Sequence, residues 1–239
     1  MDFFISTKNR TDKEELMDDF SIGGDLLRDT LDKLENINRW LGGNLMTVNS
    51  LKKVLKNHPK EQELIIADIG CGHGDILRDV AKFGRKKGYK MKLIGMDANP
   101  TAIAYANELS TEFPEISFKT EDIFSKEFKN SKFDVVLATL FLHHFKEAQL
   151  VSFLENTLKQ TKIAVVVNDL HRHKLAYYLF MLLSVFIKNN MIIEDGLTSV
   201  LRGFKRNDLE IISKKLKVKA QISWKWAFRF QWILTNKKD

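Results

Sequence analysis

The apolar positions change their period near residue 60. Upstream, across residues 12–56, Leu26, Leu27, Leu31 and Leu34 recur at helical spacing, with Asp25 placed to cap the helix. Gly42-Gly43-Asn44 interrupts this region, and a second helix runs on until Asn57, His58 and Pro59 end it near residue 56. Downstream, short apolar runs alternate with helical stretches. ELIIADI (63–69), KLIGMD (92–97), ISFKTED (116–122), FDVVLATL (133–140) and KIAVVVNDL (162–170) read as strands. Helices are expected at 74–87, at 100–112 behind Pro100, and at 146–160. Strands that are apolar throughout need cover on both faces, which indicates a parallel α/β sheet with right-handed crossovers and ligands at the carboxyl ends of its strands. VKAQISW (218–224) and FRFQWILTN (228–236) read as a closing hairpin that adds one antiparallel strand.

The chain is expected to be one domain. A helical cap at 1–58 precedes a core at 60–170, then lid helices at 171–212 and the hairpin at 213–239. Its 239 residues, 44% hydrophobic and 29% charged, suit an ordinary globular protein of that size. The single cysteine, Cys71, rules out an internal disulfide and reads as a small packing residue. The opening MDFFISTKNRTDKEE lacks the basic-then-apolar layout of an export signal, so a cytoplasmic location is expected. The net charge of +7 gathers in 82–92 and 202–219. Such runs attract nucleic acid or anionic surfaces, but basic runs also occur as plain solvated faces.

The chemistry concentrates in LIIADIGCGHGD (64–75), where Gly70, Gly72 and Gly74 follow a strand and open a helix. Such a turn lets a ligand approach the main chain and points free N–H groups at it. A dinucleotide fingerprint needs G-x-G-x-x-G, and here Asp75 stands at its third glycine, where a carboxylate would repel a pyrophosphate. The G-x-x-x-x-G-K-[ST] phosphate loop is absent as well. Asp97 ends the second strand, where a carboxylate can take two ribose hydroxyls or cap the following helix. Asp122 ends the third strand and is followed by Ile123 and Phe124, which suits an adenine.

ADIGCGHGD, LIGMDANP, TEDIF and FDVVLATLFLHHF resemble, in order and spacing, the motifs of class I S-adenosylmethionine-dependent methyltransferases. The resemblance covers about residues 60–170 and is nearest to the small-molecule enzymes of the ubiquinone/menaquinone-biosynthesis type. NDLHRHKLAYYLF and DGLTSVLRGFKRNDL look, more distantly, like methyltransferases found with polyketide pathways. The resemblance implies a Rossmann-like seven-stranded, mostly parallel sheet with one antiparallel C-terminal strand. Helices lie on both faces, with a helical N-terminal cap and another after the fifth strand. It implies S-adenosyl-L-methionine as cofactor and S-adenosyl-L-homocysteine as product. By matching motif, Asp68, Gly70, Gly72 and Gly74 line the methionine end, Asp97 binds ribose and Ala98 borders adenine. Asp122 and Ile123 hold adenine, Thr139 and Leu140 lie under the methionyl part, and His144 sits at the entrance.

Methyl transfer needs alignment and exclusion of water, and a base only where the acceptor must lose a proton. His143 and His144 follow the fourth strand, and His171 and His173 follow the fifth beside Asn168, Asp169 and Arg172. His171, His173 and His144 are the candidate bases. Each has an ordinary alternative as a packed or solvated histidine. His171, His173 and Asp169 have no further ligand motif, so no metal is assigned. LAYYLFMLLSVFI (175–187) is too short to span a bilayer. It reads as a buried lid over the acceptor, as an interfacial helix giving peripheral membrane contact, or as a dimer face. As a lid, its Tyr177, Tyr178, Phe180, Met181 and Phe186 suit an aromatic or lipid-like acceptor. Met17, Phe20 and Trp40 are placed to reach the pocket or to pack in the core. The expected activity is O- or C-methylation of a small apolar acceptor by a monomer or homodimer. The alternatives are an RNA methyltransferase, disfavoured because ATLFLHH replaces an Asn/Asp-Pro-Pro-aromatic motif, a cofactor-binding protein without transfer, and a nicotinamide oxidoreductase disfavoured by Asp75.

Overall fold

The computed structural model describes residues 5–236; the ends of the expected N-terminal cap (1–4) and hairpin segment (237–239) lie outside the described residues. The strands are β1 (Leu64–Ile69), β2 (Met91–Asp97), β3 (Ile116–Thr120), β4 (Phe133–Thr139), β5 (Thr161–Leu170), β6 (Lys219–Lys225) and β7 (Arg229–Thr235). They form one sheet in the order β3-β2-β1-β4-β5-β7-β6. β7 pairs antiparallel with β5 and β6, and the other pairings are parallel, so six strands run one way and β7 the other. The order reverses beside β1, which opens a crevice at the carboxyl ends of β1 and β4.

The helices are α1 (Gly24–Trp40), α2 (Gly43–Val54), α3 (Asp75–Lys87), α4 (Pro100–Leu109), α5 (Lys126–Asn130), α6 (Glu147–Gln160), α7 (Lys174–Ser184), α8 (Asn190–Arg202) and α9 (Arg206–Lys215). Alternating strand residues feed two cores. Ala67, Ile69, Val136, Val165, Val167 and Trp232 face Phe153, Leu154 and Leu209 of α6 and α9. Leu64, Ile66, Leu93, Val135, Val166 and Ile233 face Leu51, Ile76, Leu77 and Val80 of α2 and α3. Burying each of the Val, Leu, Ile and Phe side chains contributes about 1.5–3 kcal/mol, so both faces hold the sheet and position its carboxyl edge.

The structure corrects several sequence expectations. Helix α1 begins at Gly24 behind Gly23, which leaves Asp25 inside the first turn rather than capping it. Residues 12–23 hold only a single 3-10 turn, Leu16–Asp18, because Asp195 accepts the amides of Leu16 and Met17 and so anchors the segment as a strap. Asn99, not Asp97, caps α4, accepting from the amides of Thr101 and Ala102. Strand β3 stops at Thr120, so Asp122 lies in the turn beyond it.

Helix α7 is not a buried lid. Leu175, Leu179, Leu182 and Phe186 form an exposed stripe at helical spacing, with Phe186 80% exposed. Of the five residues expected over the acceptor, Phe180 alone among the described residues lines the cavity, where its ring packs on Gly196 of α8. Exposure leaves the interfacial and dimer-face readings standing. Trp40, 75% exposed, packs neither in the pocket nor in the core, whereas Met17 and Phe20 line the cavity. Among the described residues, no helix is long and apolar enough to cross a membrane.

Candidate functional site

A cavity of about 1460 Å³ lies over the carboxyl edge of the sheet, roofed by the N-terminal strap, α1 and α8. Asp68, Gly70, Gly72, Asp97, Ala98, Asp122, Ile123, Thr139, Leu140 and His144 all line it. The residues taken from the motifs are therefore brought together, with three departures. Gly74 is not in the lining. His171 and His173 also lie outside it.

Gly70 has φ +69°, and a Cβ there would stand 2.2 Å from the Phe141 ring, so only glycine lets β1 turn beneath that residue. The turn brings the Gly72 amide to Asp97 Oδ2 at 2.9 Å, while Asp97 Oδ1 accepts the Asn99 amide at 2.9 Å. The carboxylate is thus held rigidly, and each oxygen keeps a lone pair for a ligand hydroxyl. Gly74 serves packing instead. It is the left-handed N-cap of α3, and a Cβ would meet Phe118 at 2.5 Å. Replacing Gly74 by alanine is expected to cost about 2–4 kcal/mol from the disfavoured φ and overpacking together. Calorimetry should show melting about 5–10 °C lower.

Around this loop the cavity floor is acidic. Asp68, Asp75 and Asp97 all line it; Asp68 and Asp75 are buried and Asp97 is partly buried. Burial raises the Asp68 carboxyl well above its usual range, and Asp75 and Asp97 raise it further. Burial likewise raises Asp75, against a hydrogen bond from Asn44. Carboxylates pressed together in this way favour a cation and oppose a phosphate. Farther along the edge, Asp122 Oδ1 accepts the Phe124 amide at 2.9 Å. The Thr139 hydroxyl meets that of Thr47 at 3.1 Å. Leu140, with φ +52°, donates its amide to the Asn168 carbonyl, a strained backbone position at the cavity wall.

The histidines divide differently from the sequence expectation. His171 and His173 stack on Phe228, and Trp224 donates to His171 Nδ1 at 3.2 Å. Burial, then His173 and Arg172, lower His171 to about 4, which makes it a weak base near neutrality. The physical reason is alternation: Leu170 and Arg172 face the cavity, and the alternate residues His171 and His173 face Phe228 of the hairpin.

His143 and His144 line the cavity instead. His143 Nδ1 lies 2.7 Å from Asp169 Oδ1, and Asp169 Oδ2 accepts the amides of Leu142 and His143. On its other side, His143 Nε2 stands 3.5 Å from Glu15 Oε1, and neither atom has a hydrogen-bond partner among the described residues. Burial would lower His143, but Asp169 and Glu15 outweigh it and push it up to about 9. His144 Nδ1 pairs with Asp18 at 2.6 Å. Glu15, His143 and His144 bring ligand-capable atoms within 4.8 Å of one another. Arg202 reaches Asp18 at 2.6 Å and Glu15 at 3.8 Å, and so supplies the positive charge that a metal would bring.

Glu15, Asp18, Arg202 and Asp75 as a floor carboxylate were not identified from the sequence as site residues. Only Asp75 carried a signal, its place directly after the glycine turn. The stability drawn from protonated His143 is present in full below pH 6.5 and is lost as pH rises through about 9. Thermal melts of the native protein and Glu15→Gln are therefore expected to differ most near pH 6, to differ less as pH rises past neutrality, and to converge above pH 9.

Residues 66–163 match the family model described as a methyltransferase domain. No curated protein matches the chain. Among solved structures, the plantazolicin methyltransferase BpumL in complex with SAH aligns over 88% of this chain and 89% of its own, at 18% identity and a TM-score of 0.64. The CurJ carbon methyltransferase aligns over 82% of this chain and 54% of its own, at 12% identity and a TM-score of 0.63. Magnesium protoporphyrin IX methyltransferase (ChlM) from Synechocystis PCC 6803, with bound SAH, aligns over 84% and 87%, at 14% identity and a TM-score of 0.55. These likenesses establish a shared fold.

Proposed function

We propose that this chain is an S-adenosylmethionine-dependent methyltransferase that methylates a small apolar or aromatic acceptor at oxygen or carbon. The observation that carries the reading is the acidic floor built around the glycine turn. Asp68, Asp75 and Asp97 suit a ligand that is cationic at its amino-acid end and hydroxylated at its sugar, and they oppose a pyrophosphate. Asp97 would hold the ribose, Asp122 and Ile123 the adenine, and Gly70 and Thr139 the methionyl part. The bound cofactor supplies an electrophilic methyl group on sulfonium.

The protein's own task is then to align the acceptor, exclude water and take a proton where the acceptor must lose one. His143 fits the last role better than His171 or His173. Asp169 orients its ring, and Glu15 extends the row toward the cavity. The likeness to BpumL, a plantazolicin methyltransferase, and to CurJ, a carbon methyltransferase, supports an acceptor of natural-product or other small-molecule kind. The apolar share of the wall, from Leu27, Leu31, Phe20, Phe180 and Ile192, supports it too.

Incubation with methyl-labelled S-adenosylmethionine and a cell extract, followed by separation of RNA, protein and solvent-extractable molecules, tests the proposal. Label is expected in the extractable fraction. Label in RNA would overturn the small-molecule reading.

A further inference from the structure

The cavity holds four arginines in its lining, and three have hydrogen-bond partners. Arg10 donates to the carbonyls of Arg202 and His143, Arg172 pairs with Asp208 at 3.0 Å, and Arg202 pairs with Asp18. Arg229 differs. It is the first residue of β7, is only 3% exposed, and its Nε and one Nη have no hydrogen-bond partner among the described residues. Burial lowers it to about 10, against the pull of Asp169, so it is still charged at neutral pH. A desolvated guanidinium without a partner is costly unless an anion completes it.

The surroundings are built for such a ligand. Because β7 runs antiparallel, its first residue lies at the same edge as the carboxyl ends of the parallel strands. The N-terminus of α2 comes to the same place: a Cβ on Gly43 would stand 2.7 Å from Arg229 Nη1. That helix has no side-chain cap and no acid in its first turn, so its amide dipoles add positive potential there. Across the sheet the three floor carboxylates lie toward β1 and β2 and the guanidinium lies at β7. One edge thus separates a site for a cation from a site for an anion.

We infer that Arg229 and the N-terminus of α2 form a carboxylate-binding subsite in the cavity. A planar guanidinium takes a carboxylate through two parallel N–H donors. The carboxylate has two possible sources, the amino-acid end of the cofactor and the acceptor. The first rests on the methyl-transfer reading; the second does not.

Calorimetric titration separates them. S-Adenosylhomocysteine and its decarboxylated analogue, which lacks only the carboxylate, are titrated into the native protein and into Arg229→Gln. Benzoate is titrated into both proteins, alone and with S-adenosylhomocysteine. If the cofactor is the source, the native protein prefers the carboxylated compound by about 10- to 100-fold and the variant loses that preference. If the acceptor is the source, the preference is absent or survives in the variant, while benzoate binds the native protein and not the variant. A native protein that neither discriminates the two nucleosides nor binds benzoate overturns the subsite, whatever the variant's folding. Failure of both nucleosides to bind, with benzoate still captured through Arg229, would count against the cofactor reading and leave the subsite intact.

Discussion

Replacing Asp97 by alanine is expected to weaken S-adenosylhomocysteine binding by about 100-fold or more, measured by calorimetry on a variant whose melting is otherwise preserved. A hydrogen bond to a charged group is worth about 1.5–3 kcal/mol, and two ribose hydroxyls on one carboxylate make two of them. The geometry makes the loss hard to repair. Both oxygens are held in place by the Gly72 and Asn99 amides, and the side chain does not cap α4, because Asn99 does. The mutation therefore removes ligand contacts rather than a helix end. Burial raises the Asp97 carboxyl, and the Asn99 and Gly72 amides pull it back down. Protonation costs an acceptor, so affinity should fall as the solution is made acidic. An affinity unchanged in Asp97→Ala would remove the residue from the cofactor site.

The second large effect concerns His143. His143→Gln is expected to lower turnover by about 10²- to 10⁴-fold, the usual contribution of a positioned proton acceptor, while S-adenosylhomocysteine affinity stays within about twofold. His171→Ala should leave turnover near the native level, because that ring lies among Phe228, Phe230 and Trp224 outside the cavity. The pH profile adds a check. With His143 raised to about 9 by Asp169 and Glu15, the unprotonated form is scarce at neutrality. Turnover limited by this base should climb with pH and level off near 9. Asp169→Asn should move the plateau downward, since Asp169 favours the imidazolium. Equal loss in His143→Gln and His171→Ala, or a flat profile, would place the proton elsewhere.

Neither the parallel core nor the ligand edge required tertiary information. Apolar runs such as LIIADI and FDVVLAT must be buried on both faces, and strands buried on both faces with helices between them pair in parallel. The glycine turn, Asp97 and Asp122 were legible because each follows a strand end, and strand ends in such a sheet converge on one crevice. Gly74 shows the limit of that reading. It belongs to the same motif as Gly70, yet its φ of +80° and the Phe118 ring make it a packing position.

What depended on contacts distant in sequence was decided only by the fold. His143 and His171 are equivalent as residue types, and nothing local says which one meets a carboxylate. Asp169 lies 26 positions from His143 and Glu15 lies 128 positions from it, and only the closing of β4 on β5 and of the strap on both gathers the three. Helix α7 reads as a buried lid because its composition is apolar, but burial depends on a partner surface. α8 covers one face of it and leaves the stripe through Leu182 and Phe186 exposed. Arg229 is the same case in reverse. In the sequence it is one basic residue in a strand; the antiparallel pairing of β7 turns it toward the cavity and strips it of water. Local pattern determines which elements form and which edge binds, because backbone and burial demands are periodic. Which charged side chains end up facing one another is set by long-range pairing, which the periodicity does not encode.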